Sequence, residues 1–205
     1  MDSLFSALKS KVTENISGNI LDYIGDSYPP LKKAIEEKRI TISKAMISKE
    51  LHRQLSKTKN IELKEINLDS GSLEVVFTMR KFLLSTEGSI TIKPIEITLT
   101  NEKQEMLFAV NVENLGNDNL INRVILSIAK PFANYFLHKE LTGLKNVRIA
   151  ETSEKGIFKA DLSGLPHMEK ATAKVPVIGK SLFDVIRVGK VYTDAAGVYV
   201  DVDLR

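Results

Sequence analysis

The chain has 205 residues and contains no cysteine and no tryptophan. The missing thiols exclude disulfide bridges, thiolate zinc sites, iron–sulfur clusters and cysteine nucleophiles. A large excess of one charge is also missing: 29 basic residues stand against 26 acidic, and the formal net charge of +3 is too little to argue for nucleic acid by itself. A long uncharged apolar run is missing too. The most apolar stretch, Leu120 to Leu141, is interrupted by Arg123, Lys130, Pro131, Asn134, His138 and Lys139. A membrane-spanning helix needs roughly 20 mostly apolar residues with few charges, so this stretch reads as a buried helix of a globular domain. The N-terminus, Met1-Asp2-Ser3-Leu4-Phe5-Ser6-Ala7-Leu8-Lys9, lacks the basic start and apolar core of a secretory signal. That suits a cytoplasmic or peripheral-membrane protein if the start is native, and a periplasmic one if a signal has been removed.

Catalytic motifs are missing as well. Gly179-Lys180-Ser181 is similar to the end of a phosphate-binding loop, but Lys174 stands where that pattern needs glycine. The three histidines, His52, His138 and His167, have no metal-ligand spacing. Ser163 and His167 are neighbours without a hydrolase elbow around the serine. Asp201-x-Asp203 resembles the metal-binding pair of some sugar transferases, yet alternating acids also suit a solvated strand face. Glu36-Glu37 and Glu62/Glu65 are flanked by lysines, as on a solvated face. The expectation is a binding protein without catalytic residues, metal or cofactor.

What is there is a clear hydrophobic rhythm in a composition that is 43% hydrophobic and 27% charged, enough for one sizeable core. Leu4, Leu8, Val12, Ile16, Ile20 and Ile24 recur every four residues and predict an amphipathic helix over 2–24, ending near Gly25. Pro29-Pro30 breaks the chain ahead of a short helix, Leu31 to Lys38. Ser43 can cap a helix running to about Lys57. From Asn60 the period becomes two. Leu73, Val75, Phe77 and Met79 alternate, as do Ile90 and Ile92, then Ile95, Ile97 and Leu99, then Met106, Phe108, Val110 and Val112. Phase slips near Lys64 and Pro94 predict bulges. The turn at Asp69-Ser70-Gly71 completes the signature of an antiparallel meander. A helix over 119–141 follows, apolar over a wide arc that includes Ile128, Phe132 and Phe136, and Pro131 should kink it. Its polar stripe is Arg123, Ser127, Lys130, Asn134 and His138. The chain closes on a hairpin, Val185 to Thr193 and Val198 to Leu204.

The charge is unevenly placed. Residues 29–59 hold nine basic residues against three acidic, a net +6, which leaves −3 for the rest of the chain. Lys32, Lys33, Lys38, Arg39, Lys44, Lys49 and Arg53 are the candidate contacts to an anionic membrane or an acidic partner. No aromatic interleaving or reading motif accompanies them, so nothing points to nucleic acid.

The segment Ile42-Ser43-Lys44-Ala45-Met46-Ile47-Ser48-Lys49-Glu50-Leu51-His52-Arg53-Gln54-Leu55, followed by Ile61 to Leu68, resembles the opening helix and first strand of bacterial tubular lipid-binding (TULIP-like) domains. The likeness is one of layout and hydrophobic pattern and covers 42–204. It implies an α+β fold: a long curved antiparallel sheet wrapped around a long apolar helix, with N-terminal helices. It divides the chain into a helical extension, 1–40, and one α+β domain, 41–205. It further implies a groove between sheet and helix that holds a lipid or other apolar ligand. The lining would be Leu73, Val75, Phe77, Met79, Met106, Phe108, Val110, Ile128, Phe132 and Phe136. The alternative is a structural or protein-interaction subunit with a filled core, docking on a second copy or a partner through residues 2–24.

Overall fold

A computed structural model describes residues 18–56, 58, 60–81, 84–114, 118–137, 147–165, 168–174 and 179–205. It is α+β with two antiparallel sheets. Helix α1 covers 18–27; the rest of the helix expected over 2–24 lies outside the described residues. Tyr28 separates it from α2 (Pro29–Glu36), where two prolines occupy first-turn positions whose N–H groups would lack partners anyway. Lys38 turns the chain with φ 56° into β1 (Arg39–Ser43). Ser43 then caps α3 (Lys44–Leu55), its hydroxyl accepting from the Met46 N–H at 3.3 Å.

The meander follows as β2 (Ile61–Asp69), β3 (Ser72–Lys81), β4 (Leu84–Leu99) and β5 (Gln104–Glu113). Both expected bulges are present, one between Leu63 and Glu65 and one between Pro94 and Glu96. The second makes Ile95 the extra residue and turns it to solvent. Pro94 does not end β4. The β3 ladder stops at Ile92, so the missing N–H of Pro94 faces no partner on that side.

Next come α4 (Asp118–Ala133), a 3₁₀ turn (Asn134–Phe136), β6 (Arg148–Glu151), β7 (Ile157–Asp161), α5 (Met168–Thr172), α6 (Leu182–Val185), β8 (Ile186–Asp194) and β9 (Gly197–Leu204). The helix expected to reach about residue 141 leaves α geometry after Ala133. Pro131 sits in its last turn, where it removes the N–H that would pair four residues back, and Leu137 takes extended angles that end the helical run.

The strands divide where one long sheet was expected. β2-β3-β4-β5-β7-β6 form a six-stranded sheet and β1-β9-β8 a three-stranded one. β9 is saturated by β1 on one edge and β8 on the other, which leaves it no edge for the meander. α4 contacts β4 and β5 of the larger sheet, β1 of the smaller, and α3 beside it. Its wide apolar arc is therefore covered from several sides, as its sequence suggests.

Polar clasps join the layers. Thr193 of β8 accepts from the Gly71 N–H at 2.6 Å and donates to the Asp69 carbonyl at 2.8 Å. The Tyr135 hydroxyl donates to the Thr41 carbonyl at 3.0 Å. The boundary drawn at 40/41 falls inside β1, and Ile24, Leu31 and Ile35 belong to the same buried cluster as the sheets. The break falls at Tyr28, and Pro29-Pro30 open α2 on the same core.

Candidate functional site

The inner face of the larger sheet can be followed row by row from the register. Val75 pairs with Ile90, and Ile90 with Val112; Leu73 pairs with Ile92, and Ile92 with Val110; Pro94 pairs with Phe108. The structure gathers most of the predicted lining residues on this face and on α4. Leu73, Val75, Phe77, Met106, Phe108, Ile128 and Phe132 are 0% exposed, and Phe136 is 1% exposed. A water-sized void against these seven would leave them some accessible surface, so none opens on them. Phe132 packs on Phe136 with ring centres 5.2 Å apart, and Phe136 on Phe183 at 6.0 Å. This end of the seam is tightly filled.

The other end is looser. Met79 and Val110, the remaining two predicted residues, are half-buried, as are Ile61, Leu63 and Val112. The meander brings the start of β2, the end of β3, the start of β4 and the end of β5 to one edge, because each hairpin reverses direction. α4 begins only five residues after β5 ends, so its N-terminus lies at this edge too. β4 overshoots: Leu84 to Gly88 pair with β3 but have no partner in β5. Leu84, on the Met79 side of that overhang, is 76% exposed. The apolar seam thus runs from a closed end at Phe136 to a half-open end around Ile61, Met79 and Val112.

Part of the polar stripe on α4 meets α3. Lys130, 5% exposed in its side chain, reaches Glu50 Oε2 at 3.2 Å. Arg53 grips the same carboxylate through Nη2 at 2.6 Å and Nε at 3.1 Å, and Gln54 donates to it at 2.7 Å. Arg123 donates to the Gln54 carbonyl, and the Ser127 hydroxyl returns to the Val124 carbonyl at 2.7 Å. Burial pushes the Glu50 carboxyl up, but donors from Arg53, Gln54 and Lys130 outweigh it and hold the group below the ordinary glutamate value. Sequence reasoning missed this pair. Its signal was a lysine inside the most apolar helix.

The predicted basic contacts are carried by several elements. Lys33 lies 3.7 Å from Glu37, Arg53 is engaged by Glu50, and the Arg39 guanidinium sits 5.2 Å over the Tyr199 ring. Lys32 covers Gly25 so closely that a Cβ there would lie 2.7 Å from its Cδ. Lys38, Lys44 and Lys49 are exposed. His52 is exposed and bonded through Nδ1 to the Ser48 carbonyl at 2.9 Å; His138 and His167 lie outside the described residues. Ser181 is committed as the capping residue of α6, reciprocally bonded with Asp184, and its hydroxyl lies 2.6 Å from Asn101 Oδ1. The Ser181 N–H and hydroxyl hold the Asp184 carboxyl below the usual aspartate value.

Among the described residues no cluster of three or more histidines and carboxylates can hold a metal, and no helix is long and apolar enough to cross a membrane. Comparison with protein-family models, with curated proteins and with solved structures gives no match to this chain.

Proposed function

We propose that the protein is a non-enzymatic module that binds an apolar ligand, such as an acyl chain, at the seam between the six-stranded sheet and α4. One observation carries this reading: the buried apolar side chains form one cluster, filled at Phe136 and half-buried toward Ile61, Leu63, Met79 and Val112. Four half-buried apolar side chains toward one sheet edge, Ile61, Leu63, Met79 and Val112, leave surface that a ligand would cover, at roughly 0.8 kcal/mol per CH₂ buried. The resemblance in layout to tubular lipid-binding domains points the same way, and in this reading the bulges at Lys64 and Ile95 would bend the sheet toward α4. Deeper entry, along Phe77 and Phe132, requires the sheet to part from α4. Exposed Lys44 and Lys49 on α3 would face an anionic membrane during transfer.

Organic extraction of the purified protein followed by lipid mass spectrometry tests this. A retained lipid, lost when Met79→Glu is introduced at the open end, is the expected result. No lipid, and no uptake of a fluorescent fatty acid, defeats it. The water-tight packing of Phe77, Phe108 and Phe132 favours a second reading, a structural subunit that docks through its N-terminal helix. Deleting residues 1–17 should then change the sedimentation coefficient beyond the lost mass.

A further inference from the structure

The outer face of the three-stranded sheet carries a groove of about 550 Å³ that is separate from the apolar seam. Its charged walls are Lys38, Arg187, Lys190, Asp201 and Asp203. The register explains their convergence. Val188 pairs with Val202 and Val191 with Val200, so Gly189 and Lys190 together oppose Asp201 in a bulge. A Cβ at Gly189 would lie 2.9 Å from the Asp201 Cβ, so glycine lets the bulge close against that aspartate. Arg187 pairs across the ladder with Asp203. Lys38 stands just beyond the last β1–β9 pair, its left-handed φ of 56° directing the chain there and its carbonyl accepting from the Val202 N–H at 3.2 Å.

Three cations and two carboxylates thus share one open groove. Yet among the described residues none of Lys38, Arg187 and Lys190 forms an ion pair, although acids stand within the same walls. Among the described residues Asp203 accepts from the neighbouring Leu204 N–H alone, at 2.9 Å. Held by solvent rather than by one another, these exposed charges are free to meet a ligand. Cations in excess of acids select an anion, and arginine matches phosphate oxygens in a fork. The two carboxylates would repel a bare anion but accept hydrogen bonds from hydroxyl groups. One row further along the same face, Tyr192 stacks on Tyr199 at 5.3 Å and is 42% exposed, adding a ring surface beside the groove.

We propose that this groove binds a hydroxylated phosphate ester of the glycerol phosphate kind, its phosphate on Lys38, Arg187 and Lys190 and its hydroxyls on Asp201 and Asp203. The ester can be free in solution or the headgroup of a phosphoglycerol lipid. The site stands whether or not the apolar seam takes a ligand.

The test titrates the full chain with glycerol 3-phosphate, inorganic phosphate and glycerol, and measures co-sedimentation with phosphatidylglycerol and phosphatidylcholine vesicles. Arg187 and Lys190 are exposed, so Arg187→Ala with Lys190→Ala should stay folded by circular dichroism. Glycerol 3-phosphate should bind more tightly than phosphate or glycerol, and the double variant should weaken it at least about tenfold. Asp203→Asn should narrow the preference for the ester over phosphate. Soluble binding without preference for phosphatidylglycerol vesicles identifies the free ester; vesicle binding that the double variant abolishes identifies the headgroup. The proposal is overturned if neither form binds, if the double variant binds unchanged, or if phosphate binds as well as the ester.

Discussion

The two sheets use similar strands but close over very different lengths of chain. In the larger sheet, β2 to β5 pair in sequence order through short turns, and every pairing between them is local. In the smaller sheet, Arg39–Ser43 pairs with Gly197–Asp201, at opposite ends of the molecule. The first can form hairpin by hairpin, whereas the second pays the loop-closure entropy of most of the chain. Their chemistry differs in parallel. The larger sheet buries an apolar face against α4; the smaller buries Val198, Val200 and Val202 and presents Arg187, Asp201 and Asp203 outward.

Substitutions can test this contrast. The largest effect is expected where the larger sheet is filled. Phe108→Ala should cost about 3–5 kcal/mol in urea unfolding, because the side chain has no exposed surface and the cavity cannot be hydrated cheaply.

Glu50→Ala at the α3–α4 contact should cost a comparable 3–5 kcal/mol, roughly, since it strands the buried Lys130 charge. The pH response follows from the same group. The folded carboxyl titrates below its unfolded value, so its stabilisation is present above the ordinary glutamate range and fades as the pH falls through it toward the folded value. Melting curves taken from neutral pH into acid should fall less steeply in Glu50→Gln than in the parent.

A smaller effect is expected at the long-range closure. Gly197→Val places a Cβ about where the Ile42 carbonyl oxygen lies only 2.6 Å away. The β1–β9 ladder must shift, at about 1–3 kcal/mol by analogy with overpacking. Amide exchange should accelerate across β1 and β9 while β3 and β4 stay protected; equal acceleration in both sheets would show that they unfold as one unit. The smallest effect is expected from Ser181→Ala, about 1 kcal/mol by chemical denaturation, through loss of the α6 cap.

Much of the larger sheet was legible in the sequence because its signals are periodic and local. The alternation at Leu73, Val75 and Phe77 marked an inner face, and its slips marked the bulges at Lys64 and Ile95. The terminal hairpin was legible for the same reason; Asp194 Oδ1 accepts from the Ala196 and Gly197 N–H groups in its turn. The bulge at Gly189-Lys190 was not read, although the interrupted alternation between Val188 and Val191 records it. The partner of Ile40-Thr41-Ile42 was hidden, because no period in the chain says which distant strand will complete a ladder. The stripe Arg123, Ser127 and Lys130 was legible as polar but not as an interface, since periodicity separates polar from apolar but cannot say that α3 will cover the polar side.

The candidate seam was legible as a set of residues but not as a shape. Periodicity alone placed Phe77, Phe108 and Phe132 inside, because burying such side chains dominates the free energy of any fold this sequence can adopt. The sequence also determined the meander, the cap at Ser43 as a residue type suited to a helix start, and the absence of thiol chemistry, whereas the cap at Ser181 emerged only with α6. Only the tertiary structure decided that the strands split into two sheets and that Glu50 meets Lys130. It alone closed the seam at Phe136 while leaving it half-open at Met79, and gathered Lys38, Arg187 and Asp203 into one groove. These depend on which distant segments pack together, a choice made by the sum of many weak contacts across the whole chain rather than by any local pattern.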